Sequence, residues 1–236
     1  MAQEARLRIG TEAAYPPFNY QDAAGELKGF DIDIARALCD RLKASCEFVV
    51  QDWEGLIPAL LANKIDLIIS SMSITEERRK VVDFTNRYYR TPARFVAAKD
   101  SGITDVSPAG LAGKTLGAQA STIHGAYLQN HYKDSDIKLY GSQDTLLLDL
   151  ASGRVDAILV QSTSVYHWLT STEEGKCCQL VGDPMDDAAA FGLGAGVALR
   201  KGNDELREKI NKAIEDIRAD GSYDKINAKY FPFSIY

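Results

Sequence analysis

Long apolar runs are missing from this sequence. None approaches the roughly 20 residues that a helical membrane span requires, so no membrane-spanning helix is expected. An excess of positive charge is missing too. The 27 Lys and Arg residues face 33 Asp and Glu, giving a net charge of −6 at pH 7. That balance argues against nucleic acid or an anionic membrane surface as the main partner. Histidine is scarce, with His124, His131 and His167 scattered along the chain, and the cysteines lack zinc-ligand spacing. No metal site and no cofactor are therefore expected. A strand–turn–helix nucleophile elbow is absent, which removes the usual Ser/His/Asp hydrolase reading. Low-complexity stretches and a leader peptide are also lacking. The opening "MAQEARLRIG" reads as a mature N-terminus behind an added or initiating Met, with any export signal already removed.

Cysteine is limited to two pairs. Cys39 and Cys46 flank the end of an expected helix and the start of an expected strand. A bridge closing so short a loop would stabilise the fold by about 2–3 kcal/mol in the chain-entropy model and would imply an oxidising compartment. Spacing alone leaves a bridge and two buried thiols equally open. Cys177 and Cys178 are adjacent in a polar loop, where free or incidental thiols are expected and a vicinal bond is the alternative.

What is present is a grammar of alternating strands and helices in 236 residues, enough for two small domains or one large one. "RLRIG" reads as a strand. "FDIDIARALCDRLKA" places Phe30, Ile34, Leu38 and Leu42 on one helical face. "CEFVV" returns as a strand, "WEGLIPALLA" as a helix with Pro58 in its first turns, and "IDLIIS" as a strand buried on both faces. This order predicts a parallel α/β sheet with right-handed crossovers. The pattern then recurs. "ALLANKIDLIIS" (59–70) and "LDLASGRVDAILV" (148–160) both run from a helix end through a cap, a basic residue and an Asp into an apolar strand. Asn63 and Gly153 suit the left-handed cap position, and Asp66 matches Asp156. Two similar lobes follow, with Ser71 and Gln161 at equivalent points past a strand's carboxyl end, where open parallel sheets bind ligands. Pro92 marks a crossover between the lobes. Leu206, Ile210, Ile214 and Ile217 mark a closing helix, and Gly221 caps it before a second.

"ISSMSITEERRK" (69–80) crowds Ser70, Ser71, Ser73 and Thr75 ahead of Arg78. Hydroxyls with one guanidinium suit a bound anion, while the plainer reading is a capped surface helix. Thr75 is the candidate N-cap.

"GTEAAYPPFNY", "LKGFDIDIARALC", "DLIISSMSITEERRKVVDFT", "GAQASTIHGAY", "SGRVDAIL", "GVALRKGNDELREKINKAI" and "DGSYDKINAKYF" together resemble the bacterial periplasmic binding proteins for polar amino acids. Within that family they sit nearest the lysine/arginine/ornithine, histidine and octopine/nopaline receptors. The blocks run in order from residue 7 to about residue 231 at the family's spacing. The resemblance implies an α/β fold of periplasmic binding protein type II, two α/β lobes joined by two hinge strands. Lobe 1 would comprise residues 1–90 and 192–236, lobe 2 residues 94–186, with hinges near 90–93 and 187–191. It implies a small-molecule ligand held by lobe closure, delivery to the membrane subunits of an ABC permease, a periplasmic location, a monomeric state, and a bridge between Cys39 and Cys46.

The resemblance also assigns residues. Arg78 would pair with the ligand's α-carboxylate, which a planar guanidinium fits better than an ammonium does. Ser70, Ser71 and Ser73 would complete the anion cradle, aided by the dipole of the helix Thr75 caps. Ser121 and Thr122 would reach the same carboxylate from the second lobe. Glu12, Tyr15 and Trp53 would meet a cationic side chain, with the two rings sandwiching it. Asp31, at a helix start, is read either as an N-cap or as a supporting residue. Gln161 departs from the family: receptors for ordinary amino acids carry an aspartate there for the α-ammonium. Losing that partner in a dry cleft would cost about 3–5 kcal/mol. The reading drawn is a cationic amino-acid derivative, opine-like or guanidino. The alternative is a receptor for free arginine, ornithine, lysine or histidine, with another acid replacing the lost one. A cyclohexadienyl dehydratase-like enzyme is disfavoured. Such chemistry needs a general acid or base, and Glu12, the one obvious carboxylate in the cleft, already has a binding role.

Overall fold

The computed structural model describes residues 5–236; the opening "MAQE", read above as part of a mature N-terminus, lies outside them. Two units emerge, one ending at Arg90 and resuming at Leu193–Tyr236, the other spanning Thr91–Gly192.

The first segment of unit 1 runs through β1 (Ala5–Thr11), a small meander of β2 (Ala14–Tyr15), β3 (Asn19–Gln21) and β4 (Leu27–Lys28), then α1 (Phe30–Leu42) and β5 (Ala44–Val50). After a 3-10 turn at Trp53–Gly55 come α2 (Leu56–Leu61), β6 (Leu67–Ile68), α3 (Glu76–Arg79) and β7 (Asp83–Tyr89). Unit 2 contains β8 (Ala93–Ala98), β9 (Thr115–Gln119), α4 (Ile123–His131), β10 (Asp136–Tyr140), α5 (Gln143–Ala151), β11 (Ala157–Gln161), α6 (Tyr166–Ser171), β12 (Cys178–Met185) and α7 (Ala188–Phe191). The chain then returns to unit 1 with β13 (Ala195–Leu199), α8 (Asp204–Ala219) and α9 (Ser222–Tyr230). Gly221, at φ 78°, sits between the last two helices, as the sequence suggested.

The sheets are ordered β5-β1-β6-β13-β7 and β10-β9-β11-β8-β12. The first three strands of each are parallel, as expected from helical crossovers. The remaining strands correct the all-parallel expectation: β13 runs antiparallel to β6 and β7, and β8 antiparallel to β11 and β12. Neither β13 nor β8 is reached through a helical crossover within its own unit, so nothing forces parallel pairing. β6 is also shorter than "IDLIIS" suggested. Its ladder covers Leu67 and Ile68, although Ile65 and residues 67–70 are all buried.

The internal repeat is visible in backbone detail. Ile9 and Gly10 pair with Leu67 and Ile68, while Leu116 and Gly117 pair with Ala157 and Ile158. Asp66 Oδ2 accepts from the Arg8 N–H at 3.0 Å, and Asp156 Oδ2 from the Thr115 N–H at 2.7 Å. Each carboxylate thus ties two neighbouring strands at the same point. Asn63 and Gly153 take left-handed φ values of 57° and 70° just upstream. A Cβ on Gly10 would stand 2.4 Å from Ile65 Cδ1 and one on Gly117 2.6 Å from Leu146 Cδ1. At both points, in the second strand of each sheet, glycine leaves room for a neighbouring apolar side chain, Ile65 beside β1 and Leu146 of α5 beside β9. Asp66 also takes Arg8 Nη2 at 2.8 Å and Arg200 Nη2 at 3.3 Å. Its hydrogen bonds from Arg8 outweigh burial and hold the carboxyl down at about 2.

In unit 1, α1 turns Ile34, Ala35 and Leu38 onto a core shared with Ile210, Ala213, Ile214 and Ile217 of α8. An aromatic cluster of Phe18, Phe30, Tyr88, Tyr89, Tyr223 and Phe231 fills the rest. Cys39 on α1 is bridged to Cys46 on β5, with Cα atoms 6.0 Å apart. Cys177 and Cys178 are joined as well, contrary to the expectation of free thiols.

Candidate functional site

In unit 1 the candidate residues gather at the carboxyl ends of β1 and β6. Glu12 directly follows β1 and is buried, and its N–H donates to Ser70 Oγ at 3.0 Å. The turn after it places Ala13 at φ 60°, and the Ala13 N–H donates to Asn19 Oδ1 at 2.9 Å. Tyr15 pairs with Asn19 across the β2–β3 hairpin and stacks on Phe18 with ring centroids 5.8 Å apart.

Past β6 the chain turns sharply, with Ser71 at φ 54°. Non-glycine residues in this region carry backbone strain, which surrounding bonds must hold. Here they do. The Ser71 N–H donates to Tyr88 Oη at 3.1 Å and Ser71 Oγ donates to Asp31 Oδ2 at 2.8 Å. This differs from the expected role of Ser71 as an anion donor, since both of its donors have internal acceptors. Ser73 forms an isolated bridge to Ala195, and its carbonyl accepts from Arg78 Nη1 at 2.9 Å.

Thr75 caps α3 as expected, its hydroxyl accepting from the Arg78 N–H at 3.2 Å. The helix is only Glu76–Arg79, however. One turn sums few peptide dipoles, so the pull on an anion comes from Arg78 itself rather than from a helix end. The Arg78 guanidinium lies over the Trp53 ring, 5.2 Å from its centroid. Trp53 thus carries a cation belonging to the protein, a contact the sequence reading did not foresee. Burial depresses the Arg78 pKa to about 10, which leaves it charged at neutral pH. A charged fork beside the Ser73 carbonyl and the Trp53 ring in partly dry surroundings is suited to a bidentate carboxylate or similar oxyanion.

Asp31 is not an N-cap. α1 begins at Phe30 after Gly29, and Asp31 lies wholly buried inside its first turn. It accepts from Ser71 Oγ, Tyr88 Oη and Asn19 Nδ2, each at 2.8 Å. Desolvation raises its pKa to about 6 against the opposing pull of these donors. Asn19 and Tyr88 were not singled out in the sequence, and Asp31 was read there either as an N-cap or as a supporting residue. For Asp31 the signal existed: residues 31, 34, 35 and 38 share one helical face, so an acid stands in an apolar stripe.

Unit 2 carries its own set. Ser121 has φ 57° and precedes Thr122, the N-cap of α4. The Thr122 hydroxyl accepts from the Gly125 N–H at 3.1 Å and donates to the Gln119 carbonyl at 2.7 Å. Gln161 ends β11 and donates from Nε2 to Thr91 Oγ1 at 2.6 Å, while its carbonyl accepts from Ser164 Oγ. Among the described residues no cluster of three or more His, Cys, Asp or Glu side chains is placed to hold a metal. Among them, too, no helix is long and apolar enough to cross a membrane.

Known proteins place this architecture. The chain is 44% identical over 237 residues to the L-arginine-binding protein of Pseudomonas aeruginosa, covering 100% of this chain and 91% of that one. It is 40% identical to the histidine-binding periplasmic protein of Salmonella typhimurium, with 98% and 89% covered. The solved structure of an ancestral arginine-binding protein bound to arginine superimposes with a TM-score of 0.88 at 38% identity, covering 97% of this chain and 99% of that one. The fold is that of type II periplasmic binding proteins. A family model matches residues 7–233, and the chain belongs to the bacterial extracellular solute-binding proteins, family 3.

Proposed function

We propose that this protein captures a basic L-amino acid, arginine foremost, in the periplasm and delivers it to the membrane subunits of an ABC importer. The observation that carries the proposal is Arg78, charged, desolvated and fixed between Ser73 and Trp53 in the same unit as the buried acid Glu12. An α-carboxylate would meet Arg78 and a cationic side chain would meet Glu12, with Tyr15 and Trp53 supplying aromatic faces. Relatives named for arginine and histidine support that ligand class over an opine. Ser121, Thr122 and Gln161 enter the proposal as second-unit contacts on the family resemblance, as does closure on the ligand. The Cys39–Cys46 bridge suits the oxidising periplasm.

One observation keeps a second reading in play. The α-ammonium partner expected of ordinary amino-acid receptors is replaced by Gln161, whose amide is bonded to Thr91. A neutral donor there suits an N-substituted, opine-like ligand. A thermal-shift screen of L-arginine, L-ornithine, L-lysine, L-histidine, octopine and nopaline decides between them, because a ligand that binds the native state raises the melting temperature. Stabilisation by the free amino acids supports the first reading, and stabilisation by opines alone supports the second. No shift with any of them, or turnover of prephenate or arogenate, overturns both.

A further inference from the structure

Asp31 is the one carboxylate on which the backbone around the candidate ligand residues converges. An ionised carboxylate only accepts hydrogen bonds, and here it faces three donors at 2.8 Å: Ser71 Oγ, Asn19 Nδ2 and Tyr88 Oη. Each bond fixes a direction one step further out. Tyr88, donating to Asp31, offers its oxygen to the Ser71 N–H. Asn19, donating its amide nitrogen, turns its carbonyl oxygen to the Ala13 N–H. Ser71 and Ala13 both occupy the left-handed region. They adjoin Ser70 and Glu12 respectively, and Glu12 N–H in turn bonds Ser70 Oγ. A single buried acid therefore holds both turns that frame the ligand residues of unit 1.

We propose that Asp31 is a positioning residue for ligand binding: ionised, it accepts the Ser71 hydroxyl's hydrogen bond and, through Tyr88 and Asn19, locks the Ser71 and Ala13 turns into their binding geometry. The proposal rests on the reading of Arg78 and Glu12 as ligand contacts. It also gives Ser71 a defined role. With its proton directed at Asp31, the hydroxyl oxygen can only accept from a ligand, which suits an ammonium and not a carboxylate.

The pH dependence of binding reports on this arrangement. The ionisable groups around Asp31 are Tyr88 of β7 and Tyr223 of α9, both raised above the ordinary tyrosine range by burial and so neutral below pH 8. Asp33, two residues further along α1, is paired with Arg36 and Lys229.

The test is calorimetric titration with L-arginine between pH 8 and pH 4.5 for wild type, Asp31→Asn, Tyr88→Phe and Arg78→Met. Wild-type affinity is expected to fall about tenfold or more as pH drops through about 6, on the scale of one charge-assisted hydrogen bond. Asp31→Asn starts weakened by a similar factor at pH 8 and lacks that transition. Tyr88→Phe, having lost a donor that favours the ionised acid, shows the transition at higher pH. Melting temperatures of the ligand-free proteins check folding; if Asp31→Asn does not fold, the wild-type and Tyr88→Phe profiles carry the test. Asp31→Asn binding within twofold of wild type with the same pH profile overturns the proposal, as does an unmoved transition in Tyr88→Phe. If instead Arg78→Met binds like wild type, or wild type does not bind L-arginine, the underlying site reading falls.

Discussion

In an Arg78→Met variant the side chain keeps an apolar stem but loses the guanidinium, and with it the contact over the Trp53 ring. Burial lowers the Arg78 pKa from 12.5 to about 10. At about 1.4 kcal/mol per unit, keeping that charge costs the folded protein roughly 3 kcal/mol. Against this stand the charge-assisted bond to the Ser73 carbonyl, worth about 1.5–3 kcal/mol, and the contact with Trp53, worth about 0.5–2 kcal/mol. The opposing effects nearly cancel, so the melting temperature of the ligand-free variant should move by less than about 4 °C. Affinity should behave differently. Two charge-assisted bonds to an α-carboxylate amount to about 3–6 kcal/mol, a loss of about two to four decades in Kd. Differential scanning calorimetry and titration calorimetry on the same preparation read the two quantities. Unaltered L-arginine affinity would refute the carboxylate role. Collapse of the melting temperature by more than about 10 °C would show that Arg78 serves the fold instead.

Gln161→Asp restores an acid beside Thr91, whose hydroxyl then donates to it; free arginine should bind more tightly and octopine less so, measured by titration with both ligands. Glu12→Gln removes the buried negative charge and should weaken L-arginine at least tenfold more than L-glutamine in competition assays; equal losses would remove the case for a cationic side chain. Asp66→Asn addresses stability. The folded pKa of Asp66 is depressed from 3.8 to about 2, so its contribution is present above about pH 4 and lost as pH falls through about 2. That shift is worth about 2–3 kcal/mol, and urea unfolding should show this deficit at pH 7 and none near pH 2.

The sequence was legible where structure is set by neighbours in the chain. Asn63 and Gly153 take left-handed caps and Thr75 caps α3, because these are short-range decisions of backbone and side chain. The apolar stripe of α1 likewise reads directly as a buried face. Long-range pairings were not legible. "AGVAL" is recognisable as a strand, but nothing local says that it inserts antiparallel between β6 and β7. In the candidate site, residue types were readable and their partners were not. Arg78 was identifiable, but its placement over Trp53 depends on how the 3-10 turn at Trp53–Gly55 meets α3. Asp31 was left open between a cap and a supporting residue because its position near a helix start allows both, whereas its three partners come from residues 12, 40 and 57 positions away.

The position of β13 bears on how the molecule is made. Residues 195–199 fill the gap between β6 and β7, so the first sheet has a missing slat until nearly the whole polypeptide has been synthesised. Unit 2 is uninterrupted and contains every strand of its own sheet. The middle of the chain is thus able to fold first, while β7 waits with unsatisfied edges for a partner more than 100 residues downstream. An unpaired edge of that kind invites aggregation, which makes the interval before β13 arrives the vulnerable stage in this protein's biogenesis.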